Sequence, residues 1–317
     1  MSTTPVNPLT VRATRRSALG ALAGLAAIPL TGCQGSPSKD GSARPAPGTS
    51  VPASGAPRDT APAFAELERQ FDARLGVYAI DTGADRVVAN RPDERFAYAS
   101  TCKAFLAAAV LDKSSLTQLD RRVRYDRSDL DGHSPITEKH LSTGLTLREL
   151  CDAAVRHSDN GAANALFDEL GGPAGLQAAL RAIGDRVTRC DRYEVELSEA
   201  TPGDPRDTST ARALATDLRT YVLGDALPAN KRALLTDWLK RNTTGDKLIR
   251  AGAPKGWVVG DKTGTGGYGT RNDIAVVWPP KAAPIVLAVL SRRAVRDAEP
   301  NDELIARAAE VTLKALA

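Results

Sequence analysis

The sequence predicts an α+β fold: an antiparallel sheet built from both chain ends and flanked by helices, with an all-helical domain inserted between the two halves. Three observations predict it. Strand signals cluster near the two ends of the folded part, at residues 75–80 and again after Trp257. Between Ser100 and about Lys240 nearly every apolar pattern has helical spacing. The terminal strands are joined by tight-turn signals, at Thr82-Gly83 and in the glycine-rich run after Lys262.

In chain order, residues 1–32 read as an export signal. Arg15 and Arg16 precede an apolar run over 18–30, well short of the ~20 residues that span a bilayer. The paired arginines resemble the signal of proteins exported in folded form. Leu30-Thr31-Gly32-Cys33 resembles a lipobox, in which Cys33 would be lipidated and anchor the protein to the membrane; ordinary cleavage and release is the alternative. Residues 33–62 are expected to be a disordered tether. Positions 34–62 hold six prolines, four glycines and one large aliphatic residue, Val51, too little apolar surface to offset the entropy of ordering. An α/β domain is expected over 63–96 plus 242–317, and the all-helical domain over 97–241.

Within these, 64–71 is helical, with Phe64, Leu67 and Phe71 on one face. Residues 75–80 form a strand and 86–89 return as its hairpin partner. The apolar run 104–110 continues a helix. Thr146 and Glu149 have capping-box spacing, followed by Leu147, Leu150, Cys151 and Ala154 on one helical face. Further helices are expected over 166–170, 176–183 and 211–223. Strands return at 257–262, 273–278 and 284–291, the second ended by Pro279-Pro280. A last helix carries Leu304, Ala308, Val311 and Ala315 on one stripe.

Composition excludes several classes. With 42% hydrophobic and only 4% aromatic residues, the core must be aliphatic and alanine-rich. The net charge is +4, and Arg12, Arg15 and Arg16 are the only charges in 1–32; without them +1 remains, which gives no electrostatic case for nucleic acid. Cys102, Cys151 and Cys190 form no CxxC pair, and His133, His140 and His157 have no ligand-like spacing.

Three short motifs carry chemistry. Ser100-Thr101-Cys102-Lys103 puts a hydroxyl and an amine three apart, on one face if Ser100 opens a helix. Serine is a poor nucleophile until a base takes its proton. Ser158-Asp159-Asn160 offers a second hydroxyl for proton relay and an amide to orient a ligand, although helix capping alone would explain it. Lys262-Thr263-Gly264-Thr265-Gly266 ends a strand. There Gly264 lets a substrate lie along the edge, Lys262 and Thr263 would bind a carboxylate that Arg271 also reaches, and the Thr265 N–H would complete an oxyanion hole. Each motif is weak alone; their order and domain-scale spacing make a joint signal.

Together SxxK, SxN and KTG are similar to the signature of the penicillin-recognising serine acyltransferases. The chain most resembles the class A serine β-lactamases, over essentially 62–317. Residues 134–140 (SPITEKH), 159–166 (DNGAANAL) and 206–209 (RDTS) match as well, and RYEVELSEA (192–200) resembles that family's omega-loop motif, ExELN. The resemblance implies the serine β-lactamase/D,D-peptidase fold and hydrolysis of penicillins and cephalosporins, conferring antibiotic resistance. Ser100 would attack the lactam, with Lys103 and Glu194 both candidates for its proton. Ser158 would protonate the lactam nitrogen, Asn160 would bind the side-chain amide, and Glu194 would activate the deacylating water. Arg192 and Asp207 would close the loop's neck and Glu196 would help hold it. No metal or cofactor is implied; the partner is a small β-lactam and the enzyme a monomer.

The chain departs from the pattern at three places. Ser198 stands where asparagine helps hold the water, Val195 replaces a proline, and His133 replaces an aromatic wall. Ala107 occupies the position that commonly bridges to Cys151, so that disulfide is absent. Competing readings are a D,D-peptidase, which leaves Glu194 unexplained, and a β-lactam sensor that keeps a stable penicilloyl adduct. A catalytically dead scaffold is disfavoured because every catalytic position is filled.

Overall fold

The computed structural model describes residues 59–317; the export signal, Cys33 and most of the tether lie outside them. Helix α1 (Ala61–Phe71) starts with Pro62 in its first turn, where a missing N–H costs nothing, and buries Phe64, Leu67 and Phe71. Strands β1 (Arg74–Asp81) and β2 (Val87–Asn90) form the expected hairpin. Strand β3 (Arg95–Ala97) leads through a 3-10 turn, Ala99–Thr101, into α2 (Cys102–Lys113). Residues Cys102 to Leu111 of α2 are all buried, the signature of a helix surrounded by others.

Strands β4 (Arg122–Val123) and β5 (Leu145–Thr146) pair, and α3 (Leu147–Arg156) follows. The Thr146 side chain accepts from the Glu149 N–H at 3.2 Å, and the Glu149 carboxylate takes the Thr146 N–H at 2.7 Å, as the capping-box spacing requires. Next come α4 (Asn160–Leu170) and α5 (Pro173–Ala182). A long loop then returns to β6 (Thr208–Thr210), which pairs with β3. The chain continues through α6 (Ala211–Val222), α7 (Ala229–Lys240), α8 (Ile249–Gly252), β7 (Val258–Gly266), β8 (Thr270–Trp278), β9 (Ile285–Arg292) and α9 (Asp302–Leu316).

The main sheet has the order β2-β1-β9-β8-β7 with every pair antiparallel. The first long strand of the chain, β1, pairs with the last, β9, from Arg74 opposite Arg292 to Asp81 opposite Ile285. One face buries Val77, Ala275, Leu287 and Val289 against α1 and α9; the other buries Ile274, Val276, Ala288 and Leu290 in a core with α2, α3 and α6. Covered on both faces, β9 is a continuous apolar run rather than an alternating one. Among the described residues no helix is long and apolar enough to cross a membrane.

The structure corrects several expectations. β7 extends through Gly266, so Lys262-Thr263-Gly264-Thr265-Gly266 is paired strand and not a turn. Pairing with β8 on one side overrides the low strand propensity of glycine. Ser100 lies in the 3-10 turn before α2 instead of opening the helix. The two short ladders, β3–β6 and β4–β5, fall in the stretch read as helical, because two or three residues are too few to show a period. In α9 the buried stripe is broader than expected, adding Ile305, Ala309, Leu313 and Leu316, and Val311 is only half-buried at its margin.

Candidate active site

One cleft of about 300 Å³ gathers Ser100, His133, Ser158, Asn160, Glu194, Ser198, Thr263, Gly264, Thr265 and Arg271, with Val195 and Thr244. Lys103 and Lys262 lie behind its floor, each fully buried.

Ser100 is presented by a strained turn, with Ala99 before it at φ 47°. Its Oγ donates to Glu194 Oε1 at 3.0 Å. One turn along α2, Lys103 Nζ meets Ser158 O at 2.8 Å, Asn160 Oδ1 at 2.6 Å and Glu194 Oε1 at 2.9 Å. An ammonium has three N–H donors, and three acceptors surround this one. The helix-capping role in the second motif belongs to Asp159, whose Oδ1 accepts from Ala162 N at 2.8 Å; Oδ2 takes the N–H groups of Ile136 and Thr137. That leaves Ser158, at φ 56°, and Asn160 free to face the cleft.

Lys262 differs from expectation. Its Nζ is buried and donates to Ser158 Oγ at 3.0 Å and to Thr263 O at 2.8 Å, so it stands behind the Ser158 hydroxyl that lines the cleft. Burial, with the nearby charge of Lys103, pushes its pKa down to about 7. The cation that does face the cleft is Arg271, held by Asp302 at 2.6 Å and donating to Thr265 Oγ1 at 2.7 Å.

Gly264 also has a different reason. A Cβ there would sit 2.9 Å from Tyr98 O and 3.1 Å from Thr101 Cγ2, so the glycine lets β7 close onto the Ser100 turn. Gly264→Ala is expected to lower stability by about 1–3 kcal/mol through overpacking. It should also reduce kcat more than raise KM, since it separates Thr265 from Ser100; thermal unfolding and steady-state kinetics check both.

Glu194, 3% exposed, is fixed through its backbone as well as its carboxylate. Asn164 on α4 accepts from Glu194 N and donates to Glu194 O, each at 3.0 Å. The Glu194–Val195 peptide is cis. Ser198 Oγ donates to Glu194 Oε2 at 3.2 Å. At the neck of the loop, Arg192 Nε meets Asp207 Oδ2 at 2.6 Å, and Asp207 Oδ1 accepts from Tyr98 OH and from the N–H groups of Asp191 and Arg192. Glu196 does not hold the loop. It is exposed, and among the described residues its side chain has no hydrogen bond or ion pair; Glu199 is the second partner of Arg192.

His133 stands exposed at the rim, its Nε2 3.2 Å from His157 O. Cys102, Cys151 and Cys190 are free and buried, and burial pushes the Cys102 thiol well up, so it is a poor nucleophile beside Ser100.

Sequence reasoning missed Asn164 and Thr244. Asn164 lies four residues after Asn160, one helical turn along the same face, a signal that was available. Thr244 Oγ1, 2.6 Å from Thr263 Oγ1, had no local signal.

Comparison with known proteins gives a consistent result. The model of the beta-lactamase enzyme family matches residues 59–316. A "Beta-lactamase" of Amycolatopsis lactamdurans is 62% identical over 253 residues, 80% of this chain and 84% of that protein. One of Mycobacterium tuberculosis is 52% identical over 309 residues, 96% of this chain and 98% of its own. Among solved structures, a halotolerant bacterial beta-lactamase superposes with a TM-score of 0.79 at 54% identity, covering 80% of this chain and 98% of that one. The class A beta-lactamase of Clostridium kluyveri gives 0.79 at 49% identity, covering 80% and 97%.

Proposed function

Since this chain belongs to the class A β-lactamases, hydrolases that open the β-lactam ring, we propose that it works through a Ser100 acyl-enzyme released by a Glu194-activated water. The observation that carries the reading is the 3.0 Å bond from Ser100 Oγ to Glu194 Oε1 in a closed, buried arrangement. Ser100 Oγ attacks the lactam carbonyl and its proton passes to Glu194. Lys103, surrounded by three acceptors, serves to hold Glu194, Asn160 and the Ser158 backbone in place. The backbone N–H groups of Ser100 and Thr265 receive the oxyanion. As the ring opens, Ser158 gives its proton to the leaving nitrogen and is resupplied by Lys262, 3.0 Å behind it. The proton that Ser100 gave to Glu194 returns by way of Lys103, 2.9 Å from that carboxylate, to recharge Lys262, so Glu194 is a carboxylate again before deacylation. Asn160 takes the substrate's amide, Thr263 and Arg271 its carboxylate, and His133 forms one wall. Glu194 then removes a proton from water, which cleaves the ester and restores Ser100. The substrates are penicillins and cephalosporins, no metal or cofactor enters these steps, and the enzyme acts as a monomer. It is exported, and either anchored through Cys33 or released, which places it where it confers resistance.

The test is to mix the purified protein with a penicillin and follow lactam loss beside intact mass. Many turnovers with little adduct are expected. A stoichiometric adduct that persists would make the protein a penicillin-binding sensor or peptidase. Ser198 supplies one hydroxyl to Glu194, where a longer amide would reach both carboxylate and water. Ser198→Asn should therefore speed deacylation several-fold, up to about tenfold, the worth of one neutral hydrogen bond. Unchanged deacylation across several penicillins would exclude that role.

A further inference from the structure

The loop carrying Glu194 is rooted at two places, residues 185–189 after α5 and residues 207–210 at β6. Asp185 organises the first root. Its Oδ1 accepts from Val187 N at 2.6 Å and from Thr188 N at 3.1 Å, and Arg181 Nη1 lies 3.8 Å away. The roots are tied together by Thr188 Oγ1 to Ser209 Oγ at 2.7 Å and by Arg189 N to Thr208 O at 3.0 Å. Behind them stands Asp217 on α6, 2% exposed, its carboxyl within hydrogen-bond reach of Asp185. Asp217 Oδ2 has no partner among the described residues.

Two buried carboxyls in contact cannot both be ionised without strong repulsion. Asp185 has two backbone donors and Arg181 at 3.8 Å to stabilise its charge; Asp217 has no backbone donor on its carboxyl among the described residues, and Arg181 is the smallest of the influences on it. The proton therefore belongs on Asp217, which donates it to Asp185. The other groups in view are Tyr221, one turn further along α6, and Asp112 of α2 beyond it. Neither supplies a cation.

We infer that Asp217 is a positioning residue for the reaction: its protonated carboxyl latches the two roots of the Glu194 loop through Asp185, and losing that proton loosens the loop. Burial first, and the Asp185 charge second, raise the Asp217 pKa to about 9. The sign follows. The latched state keeps its proton up to about that pH, whereas an opened state releases it in the ordinary carboxylate range. Between the two, each pH unit makes opening up to about tenfold easier, levelling off above the latched value. The effect on Glu194 rests on the deacylation role proposed above; the pH dependence of the loop does not.

Hydrogen exchange on the purified protein, corrected for intrinsic rates, is the test. Protection of the amides of residues 185–209 should fall by up to about tenfold per unit from pH 6 to pH 8.5, while α9 stays unchanged. In Asp217→Asn, which donates to Asp185 and cannot ionise, the same amides should lose this dependence. With a penicillin, the steady-state fraction of acyl-enzyme should rise with pH in the parent and not in the variant, a readout separate from the titration of Lys262. Flat protection in the parent, or the same slope in Asp217→Asn, overturns the latch. Should Asp217→Asn not fold, Asp217→Ser supplies a non-ionising donor and is judged by the same criterion. A parent that fails to hydrolyse penicillin yet shows the pH-dependent loop would refute the proposed function and leave the latch standing.

Discussion

Glu194→Gln is expected to turn the enzyme into a trap that holds one penicilloyl group per chain. The substitution keeps the shape of the side chain, and Asn164 still fixes the backbone on both sides of the residue. What is lost is the base. General-base catalysis is worth about 10²–10⁴-fold, and deacylation should fall by that amount. Acylation falls less, because removing the carboxylate charge 2.9 Å from Lys103 favours its neutral amine, which can take the Ser100 proton. Intact mass should show a stoichiometric adduct on Ser100 that decays over minutes to hours. Turnover within tenfold of the parent would remove Glu194 from the deacylation step.

Asp207→Ala is expected to give the largest loss of stability. The carboxylate is fully buried and accepts from Arg192 Nε, Tyr98 OH and two backbone N–H groups. Removing it strands a mostly buried guanidinium and three donors, at a cost of about 3–5 kcal/mol. In a domain of this size that corresponds to a fall in Tm of roughly 6–20 °C. Because Tyr98 adjoins the Ser100 turn and Arg192 begins the Glu194 loop, both catalytic groups should loosen together, so kcat falls beyond what the unfolded fraction explains. Urea unfolding at constant m, beside kinetics well below Tm, separates the two effects. A stability within 1 kcal/mol of the parent would show that Glu199 and the backbone alone close the neck.

What was legible in the sequence was whatever a short period or a fixed spacing encodes. Ser100 and Lys103 are one turn apart, Thr146 and Glu149 fit a capping box, and Arg192 and Asp207 pair as the resemblance implied. The errors have physical causes. Lys262 was given to the substrate, but which way a strand residue points depends on the register of the whole sheet. Opposite Ile274, it turns inward to Ser158. Three glutamates crowd residues 194–199, and only the folded loop decides that Glu199, not Glu196, meets Arg192. Gly264 was legible as a close approach, but not what approaches it. The pairing of Asp217 with Asp185 joins positions far apart in the chain, and no local pattern announces it.

The pairing of β1 with β9 sets the order in which the molecule is finished. Thr82 and Pro284, bonded across the end of this ladder, are 202 positions apart. Bringing such distant segments together costs about 5 kcal/mol in loop closure, recovered only when the whole ladder forms. A nascent chain therefore carries β1 with one edge open until β9, about 200 residues later, has been synthesised. The central helices, rich in local contacts, have no such wait. Translation that stops before β9 leaves an apolar strand with no neighbour on that side, the kind of edge on which chains aggregate.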